Sequence, residues 1–217
     1  MSASPSSERL GSLPGHLHGF ALMHTGMRRD ARRLTAAAPA LTAAGTEAAA
    51  RWWSRLRDVI DWHHRSEDHT LWPELLRKLP DCAEQAKKLA DDHGELDAAM
   101  DGVSAALRPG SPAGGELTTA ARRFSEVLHE HLADEEEIVF PVFLRLGERD
   151  YLDLEQRLVR TAPPRTLAYL PPWMFDEAPA DSVRRVAATM PPPVRVLGRT
   201  VLRRRYERGL DAVLRPR

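Results

Sequence analysis

Apolar residues recur at steps of three and four along four stretches of this chain, which is the period of an amphipathic helix. The first runs from about Leu17 to Ala38, with Leu17, Phe20, Ala21, His24, Met27, Ala31 and Leu34 on one stripe. Pro39 to Gly45 reads as a connection, and the second stretch follows from about Thr46 to Leu79. Its stripe is Trp52, Leu56, Ile60, His63, Glu67, Leu71 and Leu75, and Pro73 should bend or break it, because proline lacks the N–H that a helix interior needs. Pro80 and Asp81 predict a turn, with Asp81 as N-cap of a third helix from about Cys82 to Leu107, on which Leu89, His93, Leu96, Met100, Val103 and Leu107 align. Arg108 to Gly115 carries the Pro and Gly of a loop. The fourth helix, from about Glu116 to Leu146, has the stripe Leu117, Ala121, Phe124, Leu128, His131, Glu135, Ile138 and Val142.

Four such helices with short connections predict an all-α fold, an up-down-up-down four-helix bundle over residues 14–158. Beyond it the character changes. Pro163, Pro164, Pro171, Pro172, Pro179 and Pro191-Pro192-Pro193 divide residues 159–217 into a Pro-rich, partly helical extension, with short helices near Asp181–Met190 and Val194–Leu214. The charges divide in the same place. The whole chain balances 31 Lys and Arg against 31 Asp and Glu, yet residues 160–217 hold 12 basic against 5 acidic side chains. A basic extension of this kind docks on its own acidic body or on a protein partner; contact with nucleic acid is the less favoured outcome. The basic helix with Arg199, Arg203, Arg204, Arg205 and Arg208 is its clearest feature.

Composition narrows the chemistry. The single cysteine, Cys82, leaves no pair for an intramolecular disulfide or a thiolate zinc cluster. Apolar runs are far short of the roughly 20 residues that span a bilayer, so no membrane contact is expected. Met1 to Pro14 lacks a basic stretch followed by an apolar block, which predicts a cytoplasmic protein without a signal peptide.

The informative residues are polar ones on the apolar stripes. Each predicted helix carries a histidine in line with its Leu, Ile and Phe neighbours: His24, His63, His93 and His131. Two are followed four residues later, on the same face, by a carboxylate, giving His63-x-x-x-Glu67 and His131-x-x-x-Glu135. A lone core histidine is usually just hydrogen-bonded, and a lone His-x-x-x-Glu is usually solvated. Six such groups on one seam are different, since buried carboxylates cost several kcal/mol without a counter-charge. Nitrogen and oxygen donors without thiolates suit a pair of iron ions. Glu126 and His129 make one Glu-x-x-His, but the ferritin-type site needs two copies and two further glutamates. His64 and Asp68 are set aside here, because their row continues through Arg57 and Asp61 as a solvent-facing set. His16, His18 and His69 read as surface or terminal residues, and Trp52, Trp53, Trp62 and Trp72 as bundle core.

The order His24, His63-x-x-x-Glu67 with Asp68 and Leu71-Trp72-Pro73, His93, and His131-x-x-x-Glu135 with Glu136 and Pro141 resembles the hemerythrin-like (HHE cation-binding) family, over roughly residues 14–147. The resemblance implies a non-haem di-iron centre with oxo and carboxylate bridges. Glu67 and Glu135 would then be bridging ligands, and His24, His63, His93 and His131 terminal ones. Oxygen-carrying hemerythrins have a second histidine four residues after the one in the third helix, where this chain has Asp97, and an Asp where it has Glu135. Asp97 is therefore a candidate seventh ligand, directly or through water. A site richer in carboxylate points away from simple oxygen carriage. It leans toward an oxidoreductase that reacts with O2 or peroxide, or a sensor of O2, peroxide or NO. An oxidase of a small organic metabolite and a non-redox structural or storage site, for zinc as an example, are the alternatives.

Overall fold

The computed structural model describes residues 10–109 and 115–214, so most of the expected loop between Arg108 and Gly115, and most of the segment Met1 to Pro14, lie outside the described residues. The described residues form helices and no strand, and none of those helices is long and apolar enough to cross a membrane. Helix α1 spans His18–Ala37 and α2 spans Ala43–Ser66, with the Thr42 side chain accepting from the Gly45 N–H at its start. The predicted break at Pro73 is a widened π-helical turn, Glu67–Leu71, followed by α3, Trp72–Lys78. Proline has no N–H to return to the preceding turn and its ring crowds the carbonyl four residues back, and the wider turn absorbs both.

Helix α4 spans Ala83–Ala106 and α5 spans Gly115–Leu146. Asp81 does not cap α4. It lies in a 3-10 turn, Pro80–Cys82, and its carboxylate accepts from Arg145 of α5 at 3.0 Å, a stronger partner than a helix N–H. Gly147, at φ 83° and ψ 156°, takes an extended positive-φ conformation open to glycine, between the end of α5 and the start of α6, Glu148–Arg160. Four helices make up the rest: α7 (Pro164–Met174), α8 (Ala180–Thr189), α9 (Pro192–Arg199) and α10 (Val201–Leu214). Helix α5 packs along α4 and α1, and the core runs through Leu17, Met27, Leu34, Leu56, Ile60, Leu71, Phe124 and Phe143, all essentially inaccessible.

The extension packs on α1 and α2. Trp173 of α7 is 0 % exposed, and its indole N–H donates to Asp30 Oδ2 at 2.8 Å. Arg29 donates to Asp30 Oδ1 and to the carbonyls of Trp173 and Asp176. Arg33 and the Tyr206 hydroxyl both donate to Asp176 Oδ2, at 2.6 and 2.8 Å. Docking thus buries an ionic network in which the described charges answer one another, as buried charge requires. Gly26 of α1 makes room for it, since a Cβ there would lie 2.8 Å from the Trp173 ring. Gly26→Ala is expected to cost about 1–3 kcal/mol by overpacking, seen as a lower urea midpoint with an unchanged slope.

Glu155 of α6 faces Gly19 of α1, and burial pushes its carboxyl up to about 7, against an opposing hydrogen bond from the Tyr151 hydroxyl. The unfolded chain titrates near 4.5, so between these values the folded state holds the extra proton. This contribution is complete below the unfolded value and is lost as pH rises through the folded one, by at most roughly 3 kcal/mol. Glu155→Gln should remove that decline. Unfolding free energies of parent and variant at about pH 5 and about pH 8 should diverge in the variant's favour at the higher pH; equal slopes would show that Glu155 keeps an ordinary pKa.

Candidate metal centre

Four helices and the π turn deliver the donors to one place. Helix α1 supplies His24, the end of α2 supplies His63 and His64, and the widened turn supplies Glu67. Helix α4 supplies His93, and α5 supplies His131 and Glu135. All seven are buried, with His24 at 0 % and Glu135 at 1 % exposed.

Two groups of three donors form. In the first, one ligand atom each from His24, His63 and Glu135 lies within 4.8 Å of the others. His24 Nε2 is 3.2 Å from His63 Nε2 and 3.5 Å from Glu135 Oε2. Glu67 Oε1 sits 3.0 Å from His63 Nε2, without hydrogen-bond geometry. In the second group His64, His93 and His131 meet the same distance condition, with His64 stacked on His93 at 4.4 Å between ring centroids and 5.1 Å from His131. Glu135 links the two, its Oε2 lying 3.7 Å from His131 Nε2.

Carboxylates behind the cluster fix two of the rings. His24 Nδ1–H donates to Glu136 Oε1 at 3.0 Å, which leaves Nε2 to face the cluster. Burial pushes the Glu136 carboxyl up, but His24 and Arg28 outweigh it and hold it at about 2, so it stays charged. His93 Nδ1 lies 3.4 Å from Asp68 Oδ2 in the corresponding relation. Such carboxylate–imidazole pairs set the tautomer and orientation of metal-binding histidines. In both His-x-x-x-Glu segments the first acid therefore enters the cluster, and the acid next to it backs a histidine on another helix.

The electrostatics suit a cation. Burial lowers His63 and His64, and holds His131 at about 4, so these rings are neutral and offer lone pairs. Burial and the neighbouring charge of Glu135 push Glu67 well above the usual carboxylate range, while Glu135 is held well below it by His24, His63 and His131 against its own burial. Glu67 Oε1, both Glu135 oxygens, both His131 nitrogens and His64 Nε2 are buried without a hydrogen-bond partner. Each such atom costs about 1–3 kcal/mol. A proton held on Glu67 answers one of these atoms, whereas one or two cations would answer the lone pairs of both groups together. Nitrogen and oxygen donors of this kind fit iron, and nothing in the set is specific to a thiolate-binding metal.

The structure brings together His24, His63, Glu67, His93, His131 and Glu135 and adds His64, which corrects the reading of that residue as solvent-facing. The row through Asp61 and Arg57 is half-buried, but one residue away Ile60, Leu56 and Trp53 are buried. That side of α2 packs on α4, where Trp53 and Arg57 donate to Ser104 and His64 stacks on His93. Ile60, four residues before His64, was the available signal. Asp97 is exposed and belongs to neither group, because it falls one step off the buried line of Leu96, Met100 and Val103; its charge acts on Asp61 instead. His69 is exposed, whereas His18 is buried and bonded to the Leu13 carbonyl. His16 lies beside Tyr151, with ring centroids 5.6 Å apart. The four tryptophans belong to the core.

His64→Ala is expected to lower metal affinity by more than the roughly 10- to 100-fold typical of losing a group behind a ligand, and Asp97→Ala to leave it unchanged. Metal titration of the two variants decides between them, and the reverse order would return the seventh position to Asp97.

The family model for the Hemerythrin HHE cation binding domain matches residues 16–143. Comparison with curated proteins and with solved structures finds no match.

Proposed function

This chain belongs to the hemerythrin HHE cation-binding family, and we propose that it holds two iron ions in an up-down-up-down four-helix bundle and reacts with, or senses, O2, peroxide or NO. The observation that carries this reading is the pairing of two buried three-donor groups, His24–His63–Glu135 and His64–His93–His131, around carboxylate oxygens that have no other partner. A single ion would leave half of these donors unanswered. Two cations would account for both groups, with Glu135 and Glu67 as the carboxylates that would help hold them.

Two iron ions, when bound, supply Lewis acidity and electrons to a small oxidant. The protein's own contribution is to position and insulate. Glu136 and Arg28 keep His24 in one orientation, and Asp68 does the same for His93. Phe20 lies 4.4 Å from His24 and 5.6 Å from His63 between ring centroids, and with Phe140 and Phe143 it shields that end of the cluster from water. A closed structural zinc site takes four donors, and the seven gathered here favour a pair of iron ions. The departure from the oxygen-carrier pattern is then one of position, with His64 of α2 supplying the fifth imidazole that α4 lacks.

Protein purified without added metal is expected to carry about two irons per chain and to show ferric charge-transfer absorption that bleaches on reduction. Glu67→Ala and His131→Ala should lose both signals and destabilise the bundle. The iron form should consume hydrogen peroxide or take up O2 if it is an enzyme, and bind without turnover if it is a sensor. Zinc as isolated, or full metal content in both variants, would end this reading.

A further inference from the structure

A second site lies away from the histidines. A cavity of about 630 Å³ opens between α2, α7 and α10, sharing no residue with the metal cluster. Small-molecule sites fall within about 300–1,000 Å³, and this one has a distinctive lining. Five guanidinium groups border it, those of Arg51, Arg55, Arg165, Arg205 and Arg208, and no acidic side chain does. Two are answered from outside the cavity: Arg51 pairs with Glu47, and Arg165 with Asp58 at 2.9 Å. Among the described residues Arg55, Arg205 and Arg208 have no carboxylate partner, so the cavity keeps an excess of about three positive charges, Arg55 half-buried within it and Arg205 and Arg208 at its exposed rim.

The floor is aromatic. Trp52 and Tyr169 are 4 % and 8 % exposed, and Tyr206 completes the wall. Arg55 lies over the Tyr169 ring, 6.0 Å from its centroid. The Trp52 indole N–H and the Tyr169 hydroxyl are buried without any partner, although both belong to residues lining this space. The indole can only donate, so what satisfies it must be an acceptor. Guanidinium forks match phosphate and carboxylate oxygens, and aromatic faces accept a flat ring.

We propose that this cavity binds a small polyanion joined to a flat ring, of the nucleoside-phosphate class, with Arg55, Arg205 and Arg208 on its charges and Trp52 and Tyr169 donating to its oxygens. The site is independent of the metal centre and stands whether or not iron is bound. It also gives the extension a task, because two of its three walls come from α7 and α10.

Calorimetric titration of the full chain, with its native metal, uses adenosine diphosphate, pyrophosphate and adenosine as probes at physiological ionic strength. Adenosine diphosphate is expected to bind with one-to-one stoichiometry, pyrophosphate more weakly, and adenosine least. Arg55→Gln and Arg205→Gln should each weaken adenosine diphosphate about tenfold, the order expected for one charge-assisted contact, with unchanged unfolding midpoints and metal content. Arg184→Gln, on the exposed face of α8 outside the cavity, should have no effect. Trp52→Phe, which keeps a ring but removes the N–H, should weaken binding severalfold. The proposal is overturned if no probe saturates, or if Arg184→Gln weakens binding as much as Arg55→Gln. It is equally overturned if pyrophosphate binds as well as adenosine diphosphate, which removes the ring. Binding of a DNA oligonucleotide without binding of adenosine diphosphate also sinks it, since a basic surface rather than a cavity then holds the anion.

Discussion

Lone pairs facing lone pairs in a dry core are the constraint on which this structure turns. Hydrogen bonding needs a proton aligned between each pair of heavy atoms, and six polar atoms in the cluster at the centre of α1, α2, α4 and α5 have no such partner. His24 spends its Nδ1 proton on Glu136, and both oxygens of Glu135 are left unanswered. A cation removes the conflict because it accepts several lone pairs at once. Folding and metal binding are then coupled in the usual sense, the free energy of the second contributing to the first. Apolar side chains in the same positions would give a bundle of comparable stability without a metal. That the chain places polar groups there makes the cluster a functional feature rather than a packing one.

The second acids of the two motifs follow from the same constraint. Glu136 and Asp68 each stand next to a carboxylate that enters the cluster, and each backs a histidine from a different helix. One His-x-x-x-Glu-acid segment thus sets a ligand on its own helix and orients a ligand on another, which ties the angular register of the helices to the geometry of the site. The π turn belongs to this arrangement. Glu67 opens it, so the backbone irregularity demanded by Pro73 begins at a donor rather than in a neutral stretch of helix.

Much of this was legible along the chain, and the failures have a common cause. The all-helical class, the four long helices to within a few residues, and the meeting of His24, His63, Glu67, His93, His131 and Glu135 follow from a period of 3.6 and from the cost of burying charge. His64 escaped because a stripe assumes one narrow buried face, whereas α2 also buries the side that packs on α4. Asp97 misled for the converse reason: spacing of four from His93 implies a shared face, but His93 already stands at the edge of the buried arc of α4. Asp81 looked like a cap until Arg145, distant in sequence, provided a better partner. Each error is a tertiary contact overriding a local rule.

The extension shows what local rules cannot supply. Of the short helices expected near Asp181–Met190 and Val194–Leu214, the first is α8, the second is divided into α9 and α10, and α7 is an addition; nothing in their periodicity announces that Trp173 seats against Gly26 or that Asp176 gathers Arg33 and Tyr206. Those contacts join side chains whose chemistry is ordinary taken one at a time. Once made, they give Tyr206 two relations: its hydroxyl belongs to the network that clamps α1, and its side chain lines the arginine cavity. Arg29 and Asp30 of that network lie on α1 about one and a half turns beyond His24. The basic residues of the extension, whose composition suggests only docking, thus line one side of the arginine cavity while its Trp173 and Tyr206 hold α1.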